Sequence, residues 1–276
     1  MSNAKVLAGH RAMVTGASSG IGREYALQLA ARGADLVLVA RRMDRLQQLA
    51  EEIKAKLPSI DIQCVQMDLG QPRAALQLFE QATANGKAIT LLINNAGVGN
   101  YGAFMDFPKE DHLNTLQVNA VTPTELTYLF VKHMLAHGKP SYITQVASIA
   151  AFQPVGNFSV YSATKGYIRY FSETLAFELR SSNIRVMCLC PGGTYTEFFV
   201  HSGQKITPSG HATMMTAQAV VQSGIQAMLG GKTVFVPGIL NKLACFFPRL
   251  LPRGLGLFLA FKTMNRAVER VAPRSS

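Results

Sequence analysis

Thr15-Gly16-Ala17-Ser18-Ser19-Gly20-Ile21-Gly22 is the stretch that decides the fold of this chain. An apolar run, Ala12-Met13-Val14, leads into it, and a helical pattern with Ala26, Leu29 and Ala30 on one face follows. The order is strand, glycine turn, helix. Backbone N–H groups at such a turn lie at the positive end of a helix dipole, which favours a dinucleotide pyrophosphate. Glycine is required because a Cβ would push the phosphates away or forbid the turn. The spacing is Gly-x-x-x-Gly-x-Gly, not the commoner Gly-x-Gly-x-x-Gly. A glycine-rich turn alone specifies little, so the rest of the chain has to support it.

Strand-length apolar runs alternate with segments of helical period along the chain. Strands are predicted at 12–15, 36–40, 62–67, 91–94, 143–146, 186–189 and 234–236, and helices near 21–32, 42–56, 72–85, 110–136, 160–182 and 216–229. Continuous apolar strands joined by helices predict an α/β fold, a Rossmann-like doubly wound parallel sheet of seven strands flanked by helices. Residues 1–238 form the expected nucleotide-binding catalytic domain, and 239–276 a basic helical tail. Ligands of such sheets sit beyond the carboxyl ends of the strands, so functional residues should follow each strand directly.

Composition narrows the classes. A chain of 276 residues, 48% hydrophobic and 16% charged, is neither disordered nor short of core. Its first ten residues lack the apolar run of a signal peptide, which predicts a cytoplasmic protein. Four cysteines make no disulfide framework, and Cys188 and Cys190, two apart in a predicted strand, read as buried thiols on one side of it. No metal site is expected. Residues 239–276 carry Lys242, Arg249, Arg253, Lys262, Arg266, Arg270 and Arg274 against Glu269, a net +6 of the chain's +11. Aromatic-interleaved basic motifs and zinc fingers are missing, so nucleic acid is not an expected partner.

The residues after the strands carry the chemistry. Arg41-Arg42 follows the second strand, where an acid would take the ribose 2′-hydroxyl of NAD and a cation suits the 2′-phosphate of NADP. Asp68-Leu69 follows the third strand, Asn94-Asn95-Ala96-Gly97 the fourth, and Pro191-Gly192-Gly193-Thr194-Tyr195-Thr196 the sixth. Ser148 ends the fifth, and thirteen residues later stands Tyr161-Ser162-Ala163-Thr164-Lys165. Tyrosine and lysine at i and i+4 share a helix face, and a nearby ammonium favours phenolate. A serine hydroxyl could hold a carbonyl oxygen while the tyrosine gives it a proton. The spacing alone is not specific, because Tyr128…Lys132 repeats it with Thr115 thirteen residues earlier. That copy falls inside a helical stretch and reads as helix surface and core.

In motif order and content, residues 8–240 resemble the short-chain dehydrogenase/reductase family through Thr15–Gly22, Asp68, Asn94–Gly97, Asn119, Ser148, Tyr161, Lys165 and Pro191–Thr196. The resemblance implies strand order 3-2-1-4-5-6-7 and hydride exchange with a nicotinamide. It implies a catalytic set in which Tyr161 is the general acid/base, Ser148 orients the substrate, Lys165 binds the nicotinamide ribose and tunes Tyr161, and Asn119 holds a relay water. For the cofactor it implies the turn residues Gly16, Ser18, Ser19, Gly20, Ile21 and Gly22, with Arg42 beside Arg41, whose discriminating position implies NADPH. Asp68 and Leu69 would meet the adenine, Asn95, Ala96 and Gly97 the adenine ribose, and Pro191, Gly192, Thr194 and Thr196 the carboxamide and pyrophosphate. A homodimer or homotetramer through the helices after strands four and five is also implied.

Candidate substrate-bordering segments supply Tyr101, Phe104, Phe152, Phe158, Tyr195, Phe198, Phe199, Met214 and Met215 with few charges, which points to a lipophilic ketone or aldehyde. In the tail, Ile239, Leu240, Leu243, Phe246 and Phe247 mark one helical face before Pro248, and Leu255–Phe261 is nearly all apolar. No run reaches the ~20 residues that span a bilayer. Two readings stay open for it: a helix pair lying on an anionic membrane surface, or a pair packed on its own subunit or a partner. The expected function is NADPH-dependent reduction of a lipophilic carbonyl. An oxidative alcohol dehydrogenase and an NADPH-binding sensor without turnover are the alternatives.

Overall fold

The computed structural model describes residues 5–211 and 213–271 and, of residues 248 and 249, the backbone alone. Arg274 and the Arg249 side chain, two of the tail's cations, lie outside the described residues. Strands β1 (Arg11–Thr15), β2 (Asp35–Ala40), β3 (Ile62–Gln66), β4 (Leu91–Asn94), β5 (Ser141–Val146) and β6 (Ile184–Leu189) follow in chain order, and β10 (Val234–Phe235) adds the last strand of the main sheet. Among the described residues, four further short strands after β6 lie outside the main sheet, β7 (Thr194–Tyr195), β8 (Gln204–Ile206), β9 (Met215–Thr216) and β11 (Val268–Arg270). The helices are α1 (Gly20–Ala31), α2 (Met43–Lys56), α3 (Ala74–Thr83), α4 (Lys109–Leu116), α5 (Thr122–His137), α6 (Ser159–Glu178), α7 (Phe198–His201), α8 (Pro208–His211), α9 (Ala217–Leu229), α10 (Ile239–Phe246) and α11 (Arg253–Ala267).

The seven-stranded sheet runs β3-β2-β1-β4-β5-β6-β10 with every pairing parallel, as expected. Successive strand residues point to opposite faces, and the apolar runs therefore feed two cores. Ala12, Val14, Leu36 and Leu38 pack beneath α1, α2 and α9, with Leu29, Leu46 and Ile225. Met13, Val37, Val39 and Leu92 pack on the other side beneath α3 and α5, with Leu78, Leu126 and Phe130. The order reverses between β1 and β4, which opens a crevice at their carboxyl ends.

The predicted helix at 110–136 is broken. A π-helical turn, Gln117–Val121, separates α4 from α5, and Pro123 sits in the first turn of α5. Proline has no N–H to continue the ladder, and the widened turn carries Asn119 into the interior. The pairs β7–β9 and β8–β11 were not expected. Two or three residues are too few for an alternating pattern. Through β11, which runs antiparallel to β8, the tail returns to the body of the molecule.

The tail turns the apolar face of its first helix outward. Ile239, Leu240, Leu243, Phe246 and Phe247 face solvent, at 69%, 57%, 42%, 54% and 56% exposure, while Asn241 and Cys245 are the buried residues of α10. Asn241 Nδ2 donates to the Pro237 carbonyl at 2.9 Å, and its amide fills the space a Cβ on Gly192 would need. Among the described residues no helix is long and apolar enough to cross a membrane.

Two glycines of the opening motif are fixed by the packing. Gly16 has φ +67°, and a Cβ on Gly22 would lie 2.2 Å from the Gly16 carbonyl oxygen and 2.5 Å from Asn95 Nδ2. Neither neighbour can retreat, since one is backbone and the other is hydrogen-bonded to the Thr15 carbonyl at 2.8 Å. Gly22→Ala is expected to lower the unfolding free energy by ~2 kcal/mol or more. An unchanged urea midpoint would show that the turn is looser than this geometry requires.

Candidate active site

The ends of β1 and β4 are tied by one hydroxyl. Thr15 Oγ1 accepts from Asn95 N at 2.9 Å and Ala96 N at 3.0 Å and donates to the Ile93 carbonyl at 3.3 Å. The glycine turn and the 94–97 loop thereby form one wall of the crevice. Asn94 points away into the core, donating to Thr127 Oγ1 at 3.2 Å, so it is a structural residue of this loop. Ser19 caps α1 without a side-chain hydrogen bond, and the first turn of α1 carries no acid. Thr196 sits close to Gly20 across the turn, because a Cβ there would fall 2.8 Å from its methyl carbon.

Of the two arginines after β2, Arg42 is the one whose guanidinium reaches the turn, donating to Ser18 Oγ at 3.1 Å; Arg41 is exposed. Arg42 and Arg45 also pair with Glu197, at 2.8 and 3.3 Å. Arg45 and Glu197 escaped the sequence reading, since nothing in their spacing distinguishes them from a solvated helix face. With Arg23 they border an open cleft of about 350 Å³ that also touches Ser18, Ser19, Gly20 and Thr196. Glu52, paired with Arg23, lines the cleft too, so the groups that fit a phosphate-bearing ligand are the uncapped helix N-terminus, Arg45 and the neighbouring Arg42.

Asp68 turns back on its own loop, accepting from Gly70 N at 3.0 Å and Gln71 Nε2 at 3.2 Å. The Leu69 side chain is buried in the core while its carbonyl accepts from Thr122 Oγ1 at 2.8 Å. Across the crevice, Pro191 O accepts from Ile149 N at 2.9 Å, and Thr194 Oγ1 donates to the Gly192 carbonyl at 3.0 Å.

The four residues expected to react are brought together at the floor. Lys165 is buried, and its Nζ donates to the Val146 carbonyl at 2.9 Å. That Nζ is 5.6 Å from the Tyr161 ring centroid, and a Cβ on Gly97 would lie 3.3 Å from it and 3.4 Å from Asn119 Oδ1. The bare Gly97 backbone is therefore what leaves room over the ammonium. Asn119 accepts from Val98 N at 2.9 Å and spends both amide hydrogens on the Val98 carbonyl at 2.8 Å and Thr164 Oγ1 at 3.2 Å. Its amide joins the π turn, the 94–99 loop and α6. Ser148 caps a short 3₁₀ turn, its Oγ accepting from Ala150 N at 3.2 Å, and also hydrogen-bonds Tyr161.

Burial dominates the electrostatics. It pushes Tyr161 up to about 12, only partly opposed by the Ser148 hydrogen bond. It pushes Lys165 down to about 8, with the Cys188 and Cys190 thiols opposing. The expectation that the ammonium brings Tyr161 toward neutrality is thus not met by these residues alone. Nζ points at a carbonyl, and desolvation penalises both charged forms.

Aromatic rings surround Tyr161. Phe158 stacks on it at 4.2 Å and 16°, Phe198 lies at 5.4 Å, and Tyr101 meets Phe158 edge-on at 5.7 Å. Met264, Ala267 and Val268 of the tail complete this cluster, and Tyr101 Oη donates to Asn265 Oδ1 at 3.0 Å. Phe104, Phe152 and Tyr195 do not join it. They stack respectively on His112, beneath the Arg169 guanidinium and on His211. Met214 and Phe199 lie beside Gly193, and Met215 beside Gly238 and Asn241. The second Tyr-x-x-x-Lys is on the surface, with Tyr128 71% exposed. Cys188 and Cys190 are buried with their sulfurs 3.6 Å apart.

The pH dependence of Lys165 follows with a definite sign. Its folded value, about 8, lies below the 10.5 of the unperturbed side chain, so between these values the unfolded chain holds a proton the folded chain has lost. Stability therefore rises with pH across that window. Relative to Lys165→Met, the wild-type unfolding free energy in urea is expected to gain on the order of 3 kcal/mol over it. A flat difference would mean that the ammonium is not desolvated.

Residues 10–207 match the family model for short chain dehydrogenases. The L-xylulose reductase of Cavia porcellus is 35% identical over 185 residues, covering 67% of this chain and 72% of that protein. A very-long-chain 3-oxoacyl-CoA reductase of Phaeosphaeria nodorum is 32% identical over 181 residues, 64% of this chain and 53% of that protein. Among solved structures, a short-chain dehydrogenase from Sphingobium yanoikuyae in complex with NADPH superposes with a TM-score of 0.77 at 29% identity, over 83% of this chain and 88% of that one. The chain belongs to the short-chain dehydrogenase family of oxidoreductases.

Proposed function

We propose that the chain is an NADPH-dependent reductase of a lipophilic ketone or aldehyde, with Tyr161 as its general acid. The carrying observation is the contact of Tyr161 with Ser148 on one side and a buried, uncharged aromatic cluster on the other. The cofactor would be held by the 16–22 turn and Arg42 at one end, by Asn95, Ala96 and Gly97 along the crevice, and by Lys165, Thr194 and Thr196 at the other. Bound there, NADPH supplies the hydride.

The chain's own residues supply the rest. Ser148 Oγ orients the substrate oxygen, and Tyr161 Oη holds the proton that this oxygen takes up. Raised to about 12, Tyr161 holds that proton at neutral pH, as a general acid must before it donates. Lys165 stabilises the phenolate left behind, and a sensor without turnover would have no use for that arrangement. Asn119 holds the Val98 loop and α6 in register, a positioning role.

Tyr101, Phe158, Phe198 and Met264 support an apolar substrate, since none offers a hydroxyl-binding array for a sugar. The relatives by themselves do not choose, as they include a reductase of a sugar and one of a very-long-chain acyl thioester.

A membrane-surface location is the second reading, supported by the outward apolar face of α10 together with exposed Leu255, Phe258 and Leu259 on α11. Lys242, Arg253, Lys262 and Arg266 accompany them, and no acid occurs between Glu197 and Glu269, so the partner of that face is an anionic bilayer. Exposed Leu113, Tyr128, Tyr167, Tyr170 and Phe177 on α4, α5 and α6 support pairing of copies through those helices.

NADPH oxidation across a panel from polar sugars to lipophilic ketones is expected to favour the lipophilic end, and Tyr161→Phe to lower kcat by about 10²–10⁴-fold. Equal turnover of sugars would sink the substrate assignment, and an unaffected variant would sink the acid. The protein should also float with phosphatidylserine vesicles at low salt and lose this in Leu243→Glu/Phe246→Glu. Failure of the wild type to float removes the membrane reading.

A further inference from the structure

Glu197 joins the two ends of the site. It follows Thr196 and immediately precedes α7, so its backbone belongs to the segment that carries Phe198 onto the Tyr161 ring. Its carboxylate reaches the other way, to Arg42 Nη2 at 2.8 Å, Arg45 Nη1 at 3.3 Å and His201 Nε2 at 3.7 Å. Partial burial would raise this carboxyl, but Arg42, Arg45 and His201 outweigh it and hold it below its ordinary range. The carboxylate is therefore an anion seated on the cations that border the glycine turn.

This seat is weakly held. All three side chains are more than a third exposed, at 37%, 47% and 36% for Arg42, Arg45 and Glu197. Exposed ion pairs of this kind contribute little and are screened by salt. A phosphate dianion, with more charge and three acceptor oxygens, outcompetes a single carboxylate for paired guanidinium groups. Glu197 cannot share the seat, since like charges this close repel.

We propose that Glu197 is a place-holder for the 2′-phosphate of the cofactor, and that its displacement couples cofactor binding to release of Phe198 from Tyr161. The inference rests on the reading of Arg42 as a 2′-phosphate ligand. Without cofactor, Glu197 holds α7 toward α2 and the Phe198 ring stays over Tyr161. When the 2′-phosphate takes Arg42 and Arg45, Glu197 leaves, α7 loosens, and the substrate position opens after the cofactor has bound. A cofactor without the 2′-phosphate leaves the ion pairs intact. The same residue thus sets both cofactor choice and order of binding.

The test is Glu197→Gln, which keeps the shape and removes the charge. Equilibrium titration with NADP+ is expected to show 2–5-fold tighter binding than wild type, with NAD+ binding unchanged. Hydrogen exchange of residues 198–201 in the wild type should accelerate on adding NADP+ but not NAD+, and in the variant should be fast before any cofactor is added. Wild-type preference for NADP+ with equal affinity in the variant, or α7 exchange indifferent to NADP+, overturns the place-holder. If the wild type does not distinguish NADP+ from NAD+, the 2′-phosphate reading of Arg42 fails first, and the place-holder fails with it.

Discussion

The Thr15 hydroxyl is the small group on which the geometry of the crevice depends. It closes the gap between two parallel strands that are neighbours in the sheet although a long stretch of chain separates them. By accepting two N–H groups from residues 95 and 96, it brings the 94–97 loop against the glycine turn. That approach is what forbids a side chain at Gly22 and puts Gly97 over the Lys165 ammonium. Such a contact is short because parallel strands end together, so every carboxyl end delivers its loop to one edge. The glycines are a consequence of this edge as much as a cradle for phosphate.

Burial then sets the state of the reacting groups. A lysine held by a single carbonyl in an otherwise apolar floor has lost most of its hydration, and only part of that loss is returned by one hydrogen bond. Tyr161 is pushed the opposite way by the same desolvation. The two values move apart, a proton-holding phenol at about 12 and an ammonium near its own titration at about 8. Such opposed environments are how a fold assigns acid and base roles. A ligand hydroxyl laid over Lys165 would add the acceptor the ammonium lacks, so binding at Gly97 and the chemistry at Tyr161 share one electrostatic cause.

The main sheet and its helices were legible because apolar strands buried on both faces and helices of several turns leave long patterns. All seven strands fall within a residue or two of where the apolar runs place them. The pairing of Tyr161 with Ser148 and Lys165 was legible for a different reason: Ser148 stands just after a strand, and Tyr161 and Lys165 share a face in the first two turns of a helix. What escaped were features of a few residues or of orientation. The partners of the Asn119 side chain, Val98 and Thr164, lie 21 residues before it and 45 after it, beyond any local pattern. Arg41 stands at the position the resemblance makes discriminating, yet Arg42, at the start of α2, is the arginine that meets Ser18. The β8–β11 ribbon, with Arg270 paired to Asp106, joins segments that no local pattern relates.

The tail shows why an amphipathic pattern does not say which way its face points. Periodicity reveals that apolar residues share a side, and the usual inference buries that side. Here the inward surface of α10 is supplied by Asn241, which finds a carbonyl and a glycine, and by Cys245. The packing of α11 and β11 comes instead from Met264, Ala267 and Val268, beside Tyr101 and Phe158. The tail consequently has a small inner surface committed to the wall of the active site and a larger apolar outer surface, rimmed by cations. A chain that needed this segment only to close its pocket would put polar residues outside, as most surface helices do. Retaining phenylalanines and leucines there costs solubility, and these residues with the cations beside them are what the proposed anionic bilayer would meet. The wall of the candidate site and the face turned outward are then two sides of one short segment.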